Sequence, residues 1–485
     1  MITGRLGHFC IAAWALAFSV ANGADRDLRL IEASRRDDTA AVTALIASGL
    51  DVNGRAADGA TALHWAAQND DLVMAQQLIR KGAKLNAVTD LGITPLWIAA
   101  KNASPAMIAV LLNAHADPNL APPTGHTALM NAARQGGAEA ARALLAGGAN
   151  PNAREAAHGQ TALMWAAARR HSDVVRILLA GGADVRVRSK AWKQRENICC
   201  QLHGGDENSA WVDMGGFSTL LFAAQAGDVE STRLLIAAGA DVNDTAANGM
   251  SALVVAAHMG QSDVAKALLG AGADPNAAGA GYAALHVSAT RGDLATTQAL
   301  IDHRADLNVR QREGSPTLRV NSGHALDFRM KGATPFFLAA RSAQLDVMRL
   351  LAAKGADTAL TLNDGRTAVT VLAAQVTQEG PRLSEAEAVA AIKLAIQLGT
   401  PVPRAESHGD TALHVAATWR RDAVVQALAD NGAALDVRNG KGETPLTIAL
   451  NPPAKQEGSG VSDDYLYLLK HVSTAALLRK LGAQS

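Results

Sequence analysis

The chain has 485 residues, 48% of them hydrophobic, so there is material for a large core spread over several domains or one long repeat array. Lys+Arg and Asp+Glu balance at 45 each, without the basic excess a duplex nucleic-acid binder carries or a polybasic run for a membrane surface. Aromatics are only 4%, and Ala, Leu and Val dominate the apolar content; this favours close helix–helix packing over an aromatic-rich β-sandwich.

In chain order, the first segment stands apart. Arg5 and His8 precede an apolar run of 13 residues, Phe9 to Ala21, followed by the polar break Asn22-Gly23-Ala24-Asp25. The run is too short to span a bilayer and suits the core of a signal peptide, with small residues at Ser19-Val20-Ala21 or Ala21-Asn22-Gly23 for cleavage. Gly7-His8-Phe9 before Cys10 is not a lipobox, so no lipid anchor is expected. Cleavage after residue 24 removes Arg5 and leaves 44 basic against 45 acidic residues. The expected product is near neutral, soluble and exported, periplasmic or extracellular, with no membrane contact after cleavage.

From Thr61 onward one segment recurs. Thr61-Ala62-Leu63-His64-Trp65-Ala66-Ala67 has counterparts starting at Thr94, Thr127, Thr161, Ser218, Ser251, Ala283, Thr334, Thr367, Thr411 and Thr444. The spacings are 33, 33, 34, 57, 33, 32, 51, 33, 44 and 33, so the period is about 33 with three insertions. A Gly stands two residues before every copy, from Gly59 to Gly442, where a tight turn needs a positive φ. The Thr or Ser is an N-cap, and Pro95, Pro335 and Pro445 sit at the first helical position, where a missing N–H costs nothing. The Ala-Ala pair lets helices approach closely. A second helix follows, anchored by pairs such as Leu78-Ile79 and Leu144-Leu145, and stops at Gly82, Gly148, Gly182, Gly239, Gly272, Gly355 and Gly432. His115 and Arg304 hold that stop position in two copies, where a left-handed residue costs up to about 1 kcal/mol relative to Gly.

Thr-Ala-Leu-His at 61–64 and 411–414, with Gly239-Ala240-Asp241-Val242-Asn243 and Gly272-Ala273-Asp274-Pro275-Asn276, resembles the ankyrin repeat over roughly residues 25 to 450. The resemblance implies an all-α solenoid of stacked helix pairs with projecting turn fingers and several inserted loops, of an exported bacterial type with about eleven repeats. Its expected layout is a signal peptide at 1–24, an N-terminal capping repeat at 25–57 and repeats at 58–190. An inserted loop at 191–215, repeats at 216–310, a second loop at 311–331 and repeats at 332–450 follow. A C-terminal insertion and capping helices occupy 451–485. Terminal repeats of a solenoid need a polar outer face. Smaller insertions are expected at about 376–386 and 451–463, and the ninth and eleventh copies, Thr367-Ala368-Val369-Thr370 and Ala449-Leu450-Asn451-Pro452, depart from the pattern.

The motif residues are structural, so function is sought on exposed positions. In the family the residues after the Ala-Ala pair line the concave side. Here they are Gln68, Lys101, Arg134, Ala168, Gln225, His258, Thr290, Arg341 and Thr418. Their next neighbours are Asn69, Asn102, Gln135, Arg169, Ala226, Met259, Arg291, Ser342 and Trp419. This stripe holds several cations and no acid; it suits an acidic or amide-rich protein partner, or is simply a solvated face. The candidate contacts are Gln68, Lys101, Arg134, Arg169, Gln225, Met259, Arg291, Arg341 and Trp419, joined by Trp192 and Trp211 from the first insertion. Cys199 and Cys200, the only cysteines after residue 24, offer a second reading: a strained vicinal disulfide, a free or intermolecular pair, or a metal site with His203, hence a redox- or metal-responsive protein. No nucleophile elbow, zinc-protease motif, P-loop or dinucleotide fingerprint is present, so neither enzyme nor cofactor is expected. In the resemblance His64, His286 and His414 bond structurally between repeats. A monomer that binds an unidentified protein, and not nucleic acid, is the expectation.

Overall fold

The computed structural model describes residues 27–197, 209–314, 326, 330–374, 383–402, 409–451 and 473–484. The chain divides after Val187 into two compact units. In the first, helices alternate in pairs: α1 (Arg29–Arg35) with α2 (Thr39–Ala47), α3 (Ala62–Asn69) with α4 (Leu72–Arg80), α5 (Pro95–Lys101) with α6 (Pro105–Asn113), α7 (Ala128–Gln135) with α8 (Ala138–Ala146), and α9 (Ala162–Ala168) with α10 (Ser172–Ala180). The second unit continues with α11 (Thr219–Ala226) and α12 (Val229–Ala237), α13 (Ala252–Met259) and α14 (Ser262–Gly270), α15 (Ala284–Arg291) and α16 (Leu294–Asp302), α17 (Pro335–Arg341) and α18 (Leu345–Ala353). Then come α19 (Ala368–Ala373) and α20 (Glu385–Gln397), α21 (Ala412–Thr418) and α22 (Asp422–Asp430), and α23 (Pro445–Leu450) and α24 (Ser473–Leu481). Within each unit, first helices pack on first helices and second helices on second helices, a two-layer stack.

Local chemistry accounts for each helix start and stop. The Thr94 hydroxyl accepts the Trp97 N–H at 3.1 Å and that of Thr127 accepts Met130 N–H at 3.2 Å, the capping expected of this position. Asp38 and Asp71 cap second helices in the same way. The Ala pairs 66/67, 99/100, 132/133 and 166/167 are fully buried, as are Leu78, Leu111, Leu144 and Leu178 one helix later. Truncating one of those leucines to Ala costs about 2–5 kcal/mol. Gly249 shows why the finger turn needs Gly: its φ is +80°, and a Cβ would stand 2.6 Å from the Gly279 carbonyl. At the helix stop, His115 (φ 72°) and Arg304 (φ 64°) hold the left-handed conformation without being Gly.

A ladder of asparagines joins consecutive repeats. Asn119 Oδ1 accepts the Asn150 N–H at 2.8 Å while its Nδ2 donates to the Gly148 carbonyl, and Asn152 repeats this toward Asp184 and Gly182. Asn308 Oδ1 accepts the Asp357 N–H at 2.8 Å across the second insertion, so 18 extra residues leave the register intact. Arg186 stands where the ladder wants Asn and pairs with Asp184 of its own turn.

The first and third insertions carry regular structure where loops were expected. Residues 191–197 and 209–215 pair as the antiparallel strands of a hairpin, β1 (Ala191–Asn197) with β2 (Ser209–Gly215). It grows from the finger turn, where Ser189 N–H meets the Phe217 carbonyl at 2.9 Å and Gly216 N–H the Lys190 carbonyl at 3.0 Å. Opposite pairs Trp192–Met214 and Lys193–Asp213 suit a ladder, which is why an aromatic-bearing insertion becomes strand rather than coil. The base of the second insertion is closed by Gln311 N–H to the Ala333 carbonyl and Gly332 N–H to the Gln311 carbonyl, both 2.8 Å. The third ends inside α20, a helix of 13 residues whose N-cap Ser384 and Glu387 form a capping box. Glu385 then accepts the N–H groups of Ala423 and Val424 at the start of α22, and Arg421 donates to the carbonyls of Leu372 and Ala374 at the end of the short α19. The irregular ninth repeat is thus capped from its neighbour. The helical pattern expected at Ala475–Leu481 is α24; the one at Tyr465–Leu469 lies outside the described residues, as do residues 1–26.

Candidate functional site

The histidines of the repeat starts are buried connectors. His64 Nδ1 accepts the Thr61 N–H at 3.0 Å and its Nε2 meets the Ile93 carbonyl, just before the next helix cap, at 3.0 Å. His286 does the same with Ala283 N–H and the Ala333 carbonyl, and His414 with Thr411 N–H and the Glu443 carbonyl. Trp97 fills the same place and its indole Nε1 donates to the His126 carbonyl at 2.7 Å. Both ring nitrogens of each His are engaged with backbone, which leaves none for acid–base work. Burial pushes the His286 imidazole down to about 4 and lowers that of His64.

The row after the Ala pairs divides sharply between the units. In the first, Gln68, Lys101 and Arg169 are exposed and Arg134 is half-buried. Arg134 lies 5.3 Å over the Trp165 ring, which also meets the His126 ring edge-on at 5.0 Å. Its guanidinium is pushed down by burial first and by the like charge of Arg169 second. Arg35 holds the same row position one period before Gln68 and lies 5.8 Å over Trp65. The sequence reading missed it because that repeat lacks a Thr-Ala-Leu start. The 33-residue period carries the signal. Arg170, exposed beside Arg169, extends the basic end. Among the described residues, Lys101, Arg134, Arg169 and Arg170 form no ion pair.

In the second unit the expected open row is corrected. Gln225 is exposed, but His258 and Thr290 are buried and Arg341 is only 3% exposed. His258 Nε2 bonds the buried Tyr282 hydroxyl at 3.1 Å. Arg291, half-buried, donates to the His258 carbonyl at 2.9 Å and so completes the end of α13. Met259 and Trp419 are half-buried. Arg341 therefore does not present its charge to a partner. Its long stem lies within the helix row, between buried neighbours.

Trp192 and Trp211 are 41% and 69% exposed, yet they do not make one patch. Trp192 is opposite Met214 and Trp211 opposite Arg195, and 192 and 211 fall on opposite faces of the ribbon because strand side chains alternate. Cys199, Cys200 and His203 lie outside the described residues. Among the described residues no group of His, Cys, Asp or Glu is placed to hold a metal ion, and no helix is long and apolar enough to cross a membrane.

One finger residue went unnoticed in the sequence. Glu155 is 2% exposed, and its carboxylate accepts the N–H groups of Ala157, His158 and Gln160 at 2.7–2.9 Å. Burial raises its proton affinity, but the three backbone donors outweigh this and hold it below the ordinary carboxylate value. The carboxylate thus shapes the one finger that carries an extra residue, the interval of 34.

Fold and surface together define a repeat protein whose architecture is structural and whose exposed row is the variable part. The family described as "Ankyrin repeats (3 copies)" matches residues 30–122, 111–189, 190–279 and 220–311, and "Ankyrin repeat" matches 408–440. The chain belongs to the ankyrin-repeat family. Repeats of this family generally mediate protein–protein interaction, and proteins built from them are typically non-enzymatic scaffolds. Among solved structures the human ASB11 ankyrin repeat domain is similar, at 30% identity over 51% of this chain and 98% of that one, with a TM-score of 0.40. No curated protein matches the chain.

Proposed function

We propose that this protein is an exported, monomeric scaffold that binds a partner protein through the first-helix row of its first unit, with the fingers of that unit as flanking contacts. The observation that carries this reading is the accessible row Gln68, Lys101, Arg134 and Arg169, set on helices whose buried faces are fully committed to packing. A rigid array presenting polar and cationic groups in line binds with little loss of conformational freedom. Within the second unit, Gln225 and the two hairpin tryptophans remain candidate contacts by their own exposure; Arg341, 3% exposed, does not. Export rests on the apolar run Phe9 to Ala21.

Tagged full chain expressed with its own N-terminus tests both halves. N-terminal sequencing of the periplasmic or secreted product is expected to start near residue 25; a cytoplasmic, uncleaved product refutes export. Cross-links to a captured protein are expected to start from Lys101 and its neighbours. Cross-links confined to the second-helix layer refute the row as the docking surface.

A further inference from the structure

We infer that the partner of this row docks an acidic, extended segment on the four cations Lys101, Arg134, Arg169 and Arg170, with Arg134 as the pre-positioned anchor. This inference rests on the protein-binding reading and names the chemistry of the partner.

Charge supplies the first reason. The four cations sit at the ends of three successive first helices, α5, α7 and α9, and none is paired among the described residues. At the other end of the row the field is weaker: Arg36 pairs with Glu32 at 3.7 Å, and Asp37 and Asp70 are exposed beside Gln68. Unpaired like charges held close together repel, and an anion between them removes that repulsion. Arg134 and Arg169 are such a pair, close enough for the charge of Arg169 to be felt at Arg134.

Preorganisation supplies the second. Arg134 lies over Trp165, which His126 also contacts, and the Trp97 indole ties the His126 carbonyl in turn. His171 Nε2 lies 3.2 Å from the Arg134 carbonyl and steadies the end of α7. A guanidinium stacked on an aromatic ring has lost little further freedom to lose on binding, and its planar fork suits a carboxylate. Packed helices lie about 8–10 Å apart, so two steps from α5 to α9 cover roughly 20 Å. An extended chain covers that in about six residues, at about 3.3 Å each. Alternate side chains of such a segment would face the row, so acids two residues apart fit it best.

The test is selection of peptides from a random display library on the full chain, followed by fluorescence anisotropy with the enriched peptides. Enriched sequences should carry two or more acids at alternate positions. The double variant Arg134→Gln, Arg169→Gln should bind them at least tenfold more weakly, while Arg142→Gln on α8, which removes one positive charge from the second-helix layer, should bind as the native chain does. Folding of the double variant is checked by far-UV circular dichroism. Enriched peptides without an acidic excess, or bound equally by the double variant, overturn the acidic-partner inference and leave protein binding standing. A library that yields no binder overturns both.

Discussion

His286 makes the stability of the second unit depend on pH between about 6.5 and about 4. The ring is fully buried; its Nδ1 accepts the Ala283 N–H at 3.1 Å and its Nε2 donates to the Ala333 carbonyl at 3.2 Å. This fixes the neutral Nε2–H tautomer, because a proton on Nδ1 would point at another N–H. The folded value of about 4 lies below the unfolded value of about 6.5. The unfolded chain therefore binds the proton first, and stability is complete above about pH 6.5 and falls as pH drops toward 4. A difference of roughly 2.5 units corresponds to about 3 kcal/mol in full, of which about 2 kcal/mol is lost between pH 7 and pH 5. Urea denaturation followed at Trp419, the tryptophan of α21's C-terminal end, measures it in the second unit. His286→Gln is expected to cost about 1 kcal/mol near neutrality through the weakened bond to Ala333, and to flatten the pH dependence by about 2 kcal/mol. If the variant keeps the native difference between the two pH values, His286 is not the group that titrates and the buried-connector reasoning is refuted.

Other consequences are open to simpler measurements. His115→Gly and Arg304→Gly, at left-handed stops where the equivalent Gly82 and Gly148 have no neighbour within 4 Å of a Cβ, should each stabilise by up to about 1 kcal/mol in urea melts; destabilisation would show that the native side chains make contacts that matter more than the backbone. Glu155→Gln should cost about 1–3 kcal/mol and loosen the 154–160 finger, seen as faster amide exchange at His158 and Gln160. Because its folded carboxyl value is depressed, that contribution is present above the unfolded value of about 4.3 and vanishes as pH falls through the folded one; unchanged exchange in the variant would contradict the role. The two units should unfold separably near residues 187–214, where the ladder asparagine is replaced by Arg186; one coincident transition from probes placed in each unit would contradict this.

Periodicity, caps and turns were legible in the residues alone. A Gly two positions before each Thr or Ser, an Ala pair and a terminal Gly state local backbone demands that any sequence meets in the same way, and all eleven finger glycines from Gly59 to Gly442 have positive φ. The insertion sites were equally plain, because an interrupted period is a matter of counting. What the residues could not state was exposure. Arg134 and Arg341 occupy the same repeat position, yet one stacks on Trp165 at an accessible edge and the other is buried. The difference lies in what each repeat's neighbours contribute, which a one-repeat motif does not contain. Likewise the pairing of Trp192 with Met214 and Trp211 with Arg195 follows from strand register, and so does their separation onto two faces. The three N–H groups gathered by Glu155 come from a turn that exists only once the chain is folded. Short-range backbone preference was written in the sequence, while burial, register and the convergence of charge were set by packing between repeats.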